Sequence, residues 1–592
     1  MKKITLLVSQ RDVEASLRRL RKLGVVHISH MQEPVADYIS SLKQQLSLSD
    51  EAMNIIPDSR RPTDSLHQPK DLKTEDLNSL AKEIIDQNSQ RQKLKLRQEA
   101  LERKLTWFRE WGDISASKLA ELKQANVFIK LYILGRAVFK RIPPERLVYC
   151  LRREGANLYV AFITRDPQES LGLPEIEVPR EDLSSLHREI SLLNADLEGI
   201  DKRISELCVY RNYLAKYRKQ LLKGLEFYNV RFGMAEQEGI CCLRGFLPTE
   251  SVSRVSEAAV QTGWATVIEE PDDPDQVPTL IRNPKWVEMI RPIFQFMGTL
   301  PGYKEYDISF CFLLFFSVFF AMLIGDAGYG LLFLALTILL RRRFKGQFRQ
   351  LLFLLYVLSS GTIIWGAASG TWFGFEKIAQ LPLLNLLVIG RIDSFVSTNQ
   401  LFMIYLCFLI GAIHLSIAHA IVSFRFINSW RALAEIGWIG IIWTAFFLAG
   451  VLVLNRPIPD FALIPGIAGA GLVILFSHPQ KNILKGVLIS LANLPLKAIS
   501  SFSDVISYLR LFAVGYATVS VAGAFNNMAF AGGINNIFAG FIAALILFLG
   551  HALNILLGLM AVIVHGIRLN MLEFSGHLNM QWSGKEYAPF KE

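Results

Sequence analysis

The pattern of polar and apolar positions changes character near residue 301. Before Pro301 the apolar residues recur on helical and strand periods; from Ile308 onward they form long runs. In the first half, Leu77, Leu80, Ile84, Leu94, Leu101, Leu105 and Phe108 make one stripe, interrupted at Gln87, Arg91 and Gln98. Leu183, Leu186, Ile190, Leu193, Leu197, Ile200, Ile204, Leu207 and Leu214 make a cleaner one, broken by Arg211. Sustained 3-4 spacing predicts a coiled coil. Its helices fall at about 72–125 and 181–230. Each runs for about 40 residues, roughly 60 Å, and they pair antiparallel because the segment between them must turn the chain. That segment holds the strand-like runs Val127–Leu134 and Leu158–Thr164. The start reads as a strand, a helix ending at Gly24, and a strand at Val25–Ser29. Its apolar stretch, Ile4–Val8, is shorter than the roughly 7–15 residues of a secretory signal, so the amino terminus stays in the cytoplasm. After the second stripe come Gly239–Pro248, a helix over Thr249–Thr262 and a strand at Trp264–Glu269. Residues 1–300 are therefore expected to form an elongated α/β rod. Its two end lobes lie near 1–35, with part of 126–175 and 239–270, and a long antiparallel coiled coil joins them.

The second half has apolar runs at Ile308–Leu340, Leu351–Ser369, Leu401–Phe424, Ile436–Leu454, Phe461–Phe476, Ser501–Asn526 and Ile534–Asn570. The first would be roughly 50 Å long as one helix, against a bilayer core of about 30 Å. Splitting it at Gly325-Asp326 gives eight spans over 301–592. The positive-inside rule favours that split. Arg341, Arg342, Arg343, Lys345, Arg349, Arg425, Arg431, Lys481 and Lys485 then lie in cytoplasmic loops, and only Lys377, Arg391 and Arg456 lie outside. Both termini are then cytoplasmic, with a short carboxy-terminal tail. The Phe461–Phe476 run is the shortest fit.

Composition narrows the class. Hydrophobic residues are 51% and charged residues 20% of the 592, which excludes a wholly soluble or a disordered chain. A net charge of +10 does not point to nucleic acid, because the basic residues are spread over the charged half and short loops. The six cysteines show no secreted disulfide framework. No G-x-x-x-x-G-K-[ST] loop occurs, nor any metal, triad or dinucleotide motif, so neither ATP hydrolysis by this chain nor a cofactor is expected.

Between Ser501 and Glu573 the only Asp, Glu, Lys or Arg residues are Asp504, Arg510, Arg568 and Glu573. Arginine at membrane depth costs several kcal/mol and stays charged, which marks it as functional. His551, Asn554, Gly558, Ala561, His565 and Arg568 follow steps of three and four and should share one helix face. Such a stripe can line a water-filled path. Small residues after Arg510, among them Ala513, Gly515 and Ala517, suit that helix to close contact with another.

Several segments together resemble subunit a, also called subunit I, of the V/A-type rotary ATPases in its prokaryotic form. They are PTLIRNPKW at 278–286, GDAGYG at 325–330, GTWFG at 370–374, GAIHL at 411–415, SDVISYLRLFA at 503–513 and HGIRLNMLEF at 565–574. The resemblance spans essentially the whole chain. It implies a cytoplasmic rod on peripheral stalk subunits of the E and G/H type, and an eight-helix membrane domain against a proteolipid ring (subunit c/K). The central stalk and catalytic sector complete the complex, and the setting is a prokaryotic cell membrane. The family's two critical arginines carry over to Arg510 and Arg568. The resemblance implies a non-catalytic subunit that moves H⁺ or Na⁺: a ring carboxylate facing Arg510 ionises and releases its ion. Candidate half-channel residues are Asp504 and Ser507 on the cytoplasmic side and His551 and Asn554 outside, with His565 and Glu573. Two positions depart from the eukaryotic pattern: Thr518 stands where that form has His, and Gly558 where it has Glu. An ion-coupled secondary transporter or channel with a cytoplasmic regulatory domain is the competing reading, although such carriers often show internal repeats and none is clear here.

Overall fold

The computed structural model describes residues 1–592 except 57–73, 115, 144, 156, 180, 345–347, 478–482, 532 and 534–535. Lys345, Lys481, Ile534 and the expected start of the first coiled-coil helix near residue 72 lie outside the described residues. The chain divides into two compact units. One comprises Lys3–Ile268 with Pro589–Glu592, and the other Met1–Lys2 with Glu269–Ala588.

The first unit contains two sheets. Strand β1 (Lys2–Ser9) buries alternate residues Ile4, Leu6 and Val8, as a half-buried strand must. Helix α1 (Val13–Leu23) buries Val13, Leu17 and Leu20 on one face and stops at Gly24, whose φ of 61° suits glycine. Strands β2 (His27–Ser29), β6 (Ala235–Gln237), β7 (Ile240–Leu247) and β8 (Ala265–Glu269) complete this sheet, in the order β2-β7-β1-β8 with β6 on β7. Phe590 joins its core: it is buried, and its backbone N–H donates to the Val26 carbonyl at 2.8 Å. The second sheet is β3-β5-β4, from Phe128–Gly135, Asn157–Thr164 and Val148–Glu154 respectively.

The two heptad segments form helices α3 (Thr74–Trp111) and α4 (Leu183–Leu207), which pack through Leu101, Phe108, Leu186 and Leu193. Their polar contacts run in opposite senses along the two sequences. Arg203 meets Glu83 at 2.7 Å, Arg91 meets Asp201 at 2.7 Å, and Gln98 meets Asn194 at 2.9 Å. The pair is antiparallel, as expected. The second helix is not continuous, however. A 3₁₀ turn at Cys208–Tyr210 separates α4 from α5 (Arg211–Phe232). Arg211, which breaks the heptad, donates to the carbonyls of Met53 and Ile56 at the end of α2 (Asp37–Ile55). Helix α2 escaped the sequence pattern. It packs on α5 and the start of α3 through Leu42, Leu77, Tyr217 and Leu221.

The second unit is mainly helical; among the described residues its strands are the two-residue β9 (Pro278–Thr279) and β10 (Lys585–Glu586), which pair in parallel. Helices α7 (Ser309–Ile324) and α8 (Ala327–Arg343) meet at a 120° bend, where the sequence put a break. Gly325 turns the chain at φ 67°. The Asp326 carboxylate then accepts four backbone N–H groups: Gly328 (2.8 Å), Tyr329 (3.3 Å), Phe373 (2.9 Å) and Gly374 (2.9 Å). Gly366 permits this docking, because a Cβ there would lie 2.1 Å from the Ala327 nitrogen. The GDAGYG and GTWFG segments are thus two sides of one junction.

The remaining long helices are α9 (Arg349–Ala368), α10 (Gln400–Arg425), α11 (Arg431–Leu454), α12 (Ile464–Phe476), α13 (Ile483–Ser507), α14 (Leu509–Phe530) and α15 (Ile537–Ala561). Helix α6 (Val252–Thr262) belongs to the first unit. Among the described residues, five helical segments are long and apolar enough to cross a bilayer, or six if the bent pair counts as one. Eight crossings follow only if α7, α8 and the 13-residue α12 each cross separately. The expected span Ser501–Asn526 straddles the α13/α14 boundary. The continuous helical segment runs 47 residues from Leu484 to Phe530, about 70 Å at 1.5 Å per residue. Lys485, Lys497 and Asp504 disguise its first half as a loop.

Candidate functional site

The site begins with a flaw in that long helix. Between α13 and α14 the bonding tightens: Leu511 N–H donates to the Tyr508 carbonyl at 3.0 Å, a residue nearer than an α-helix requires. The Ser507 carbonyl is therefore left free, and Arg510 Nε donates to it at 2.9 Å. This anchors the guanidinium at its base and aims its fork at Glu573, with which Nη2 forms an ion pair. Tyr508 holds the break in place. Its buried hydroxyl meets His414 Nδ1 at 2.8 Å, and its ring lies against Gly411.

Glu573 arrives by a second irregularity. After α15 the helix widens into π turns at Val562–Gly566 and Leu569–Phe574, on either side of Arg568. Gly550, Asn554, Gly558, Val562, Gly566, Asn570 and Phe574 are all buried, a strict step of four. A 3.6-residue helix would drift off that line, and π turns restore it by adding a residue. Along the expected stripe Asn554 and Gly558 are buried, His551, Ala561 and His565 are half-buried, and the Arg568 side chain is 54% exposed. Its Nε still lies 3.7 Å from Glu573 Oε1. Glu573 is 5% exposed and Arg510 23%, so a nearly buried carboxylate sits between two cations. Among the described residues its second oxygen, Oε2, has no hydrogen-bond partner, and neither has His565 Nδ1.

A polar chain lies beside this pair. Glu435 Oε2 meets His419 Nδ1 at 2.6 Å, His419 Nε2 meets His577 Nδ1 at 2.9 Å, and His577 Nε2 meets Asp504 Oδ2 at 3.1 Å. These groups line a cavity of about 340 Å³, together with Lys497 and Glu573. Asp504 thus shares a cavity with Glu573. Ser507 contributes its carbonyl to Arg510, while its hydroxyl is spent on the Asp504 carbonyl at 2.7 Å.

A separate cluster gathers His551 and Asn554. Asn526 Nδ2 donates to the Phe373 carbonyl at 2.8 Å, so its oxygen faces His551 Nε2 at 3.1 Å and accepts a hydrogen bond from its N–H. His551 Nδ1 then accepts from the Tyr329 hydroxyl at 2.7 Å. Asn554 Nδ2 donates to the Tyr329 oxygen at 3.0 Å and to the Thr518 carbonyl at 2.8 Å. A Cβ on Gly558 would lie 4.0 Å from the Thr518 methyl. Thr518 and Gly558 are therefore neighbours.

Sequence reading missed His419, Glu435, His577, Tyr329 and Asn526 as site residues. Lone ionisable groups in apolar runs, such as Glu435 and His419, were the available signal. Together the fold and site define a mainly helical membrane protein in which an arginine of an apolar helix pairs with a buried carboxylate, with two polar clusters nearby and a separate unit built on an antiparallel helix pair.

No family model matches the chain. It is 31% identical to V-type ATP synthase subunit I of Borreliella burgdorferi, over all of this chain and 99% of the relative. It is 30% identical to V-type ATP synthase subunit I 1 of Treponema pallidum, over all of this chain and 99% of that one. It is 24% identical to A-type ATP synthase subunit I of Methanocaldococcus jannaschii, over 81% of this chain and 74% of that one. A crystal structure of the cytoplasmic N-terminal domain of a V-ATPase subunit I aligns in full over 45% of this chain, at 14% identity and a TM-score of 0.23. The chain belongs to the V-type and A-type ATP synthase subunit I family.

Proposed function

We propose that this chain is the stator subunit of the membrane sector of a rotary ATPase. With a proteolipid ring it forms the path for H⁺ or Na⁺, and through its amino-terminal unit it links that path to peripheral stalk subunits. The observation that carries this reading is Arg510, fixed at a helix break and paired with Glu573. In a helix so apolar, a guanidinium anchored at Nε and free to share its fork is suited to meeting a succession of carboxylates. Each ring carboxylate would replace Glu573 at the fork, ionise there and give up its ion. Glu573 returns as counter-ion between encounters, so Arg510 is never left buried and unpaired. The Asp504 cavity supplies the cytoplasmic half-channel and the His551–Asn554 cluster the outer one. The chain itself performs no ATP chemistry.

Co-purification tests this first. Gentle detergent extraction of the tagged chain should bring down a small proteolipid and nucleotide-binding subunits; recovery of the chain alone would favour the carrier reading. Orientation is tested by labelling in a background lacking the six native cysteines. Thr398→Cys should react with an impermeant maleimide from outside, and Phe348→Cys only from the cytoplasmic side. Reaction of both from one side rejects the eight-crossing topology and its cytoplasmic termini.

A further inference from the structure

We propose that the second unit carries a phospholipid site, at the entry to its first membrane helix, that takes a zwitterionic headgroup ending in a primary ammonium. The site shares no lining residue with the cavity beside Arg510 and depends in no way on the ion-path reading. It is a cavity of about 330 Å³. Its walls come from both ends of the unit: residues between Thr279 and Asn283 and the short helix Arg291–Met297 before the membrane helices, and Gly584, Glu586 and Tyr587 after them. Ser309, the first residue of α7, also lines it. Phe294 of the short helix meets Phe312, in the first turn of α7, with ring centres 4.9 Å apart. The cavity therefore lies at the level where α7 enters the bilayer. The neighbouring surface is aromatic. Trp286 and Phe310 are both exposed and meet edge to face at 5.6 Å, and Leu314, one turn beyond Phe310, is exposed as well. Exposed aromatic rings at the end of a membrane helix mark the headgroup layer, so the occupant comes from the membrane.

The charges of the wall select the headgroup. Arg291 stands between two carboxylates: its Nη2 lies 2.9 Å from Glu586 Oε1, and its Nη1 lies 3.7 Å from Glu288 Oε1. All three side chains are accessible, and among the described residues no other Asp, Glu, Lys or Arg lines the cavity. The wall thus reads negative, positive, negative. A phosphodiester next to an ammonium is its complement: the phosphate takes the guanidinium fork, and the ammonium donates to a carboxylate. Leu280, Ile281 and Ile290 offer apolar surface to the start of the acyl chains. An anionic headgroup brings no cation for the carboxylates and meets an excess of negative charge. A choline headgroup has the cation but no N–H to donate. A lipid held here touches both walls and so ties down the carboxy-terminal tail, which is otherwise fixed to this region by bonds such as Gly584 N–H to the Leu300 carbonyl at 3.0 Å and Tyr587 N–H to the Thr279 carbonyl at 3.2 Å.

The test uses the full-length chain, with whatever subunits co-purify, in phosphatidylcholine nanodiscs. These contain a trace of phosphatidylethanolamine bearing a photoreactive diazirine on its acyl chain close to the glycerol. After illumination, peptides spanning residues 279–310 should carry the label. Excess unlabelled phosphatidylethanolamine should suppress that labelling at least about tenfold, and phosphatidylglycerol or phosphatidylcholine should not. Arg291→Gln and Glu586→Gln remove one charge each from an accessible ion pair, so the protein should fold normally. Each should lower labelling at this site at least about tenfold, since a hydrogen bond to a charged group is lost, while the lipid-exposed face of α12 around Ile467 labels as before. Equal suppression by all three lipids means ordinary boundary lipid and overturns the site. Stronger suppression by phosphatidylglycerol overturns the zwitterion assignment. Suppression by water-soluble phosphoethanolamine as effective as by the lipid overturns the membrane source. Undiminished labelling of both folded variants overturns the role of the Glu288–Arg291–Glu586 array.

Discussion

Alanine at Arg510 is expected to abolish ATP-driven ion uptake in vesicles while the complex still assembles. Two effects act together. The ring carboxylate loses the charge that favours its ionisation, so its ion stays bound at the interface. Glu573, nearly buried, loses its close partner. Breaking a buried ion pair from one side typically costs about 3–5 kcal/mol. Here Arg568, 3.7 Å from the same oxygen, can take over part of the neutralisation, so the protein should survive the change. Lysine should also fail largely or wholly. A single ammonium cannot both hold the Ser507 carbonyl and present a planar fork to a carboxylate. Arg568→Ala should do less damage, since that side chain is half exposed and more distant. Near-normal uptake by a fully assembled Arg510→Ala complex would sink the mechanism.

The second large effect is mechanical. Leu193→Pro should release the soluble ATPase sector from membranes in which this chain is still inserted. Proline removes a backbone donor and clashes with the preceding turn, at about 3 kcal/mol or more, and here it also removes a buried leucine from the Leu101–Phe108–Leu186 contact. Further along the chain, α2 and α5 would brace the helices; around Leu193 the cluster draws only on α3 and α4. A stably expressed variant whose ATPase activity remains membrane-bound and coupled would show that this helix pair is not the tether.

What could be read in advance followed the strength of each local signal. The antiparallel pair was legible because burial at Leu186, Leu193, Leu197 and Ile204 imposes a period that few other folds share. The Gly325-Asp326 bend was legible because an apolar run too long for a bilayer must turn somewhere, and glycine with a capping acid is where it can. Helix α2 was not, since its apolar face is spread among serines and glutamines. The first half of the long helix was hidden for a related reason: Lys497, Ser500, Ser501 and Asp504 face a cavity, which hydropathy cannot distinguish from a loop. At the site, Arg510 and Arg568 stood out as charges in an apolar setting. The polar chain Glu435–His419–His577–Asp504 did not, because it joins residues from four separate helical segments, and spacing within one helix says nothing about partners in another. The π turns were the subtlest omission. They add a residue to each turn, which no 3.6-residue spacing in the sequence announces.

The way the chain shares its ends between the two units has a consequence for cleavage. Residues 589–592 complete the amino-terminal unit, and Met1 and Lys2 group with the membrane unit, where the Met1 ammonium donates to the Tyr303 hydroxyl at 2.9 Å. A protease that nicks the backbone near Glu269 therefore does not produce two self-sufficient halves. Each fragment keeps a short strip belonging to the other's fold, and the Phe590 strip is seated in a hydrophobic core.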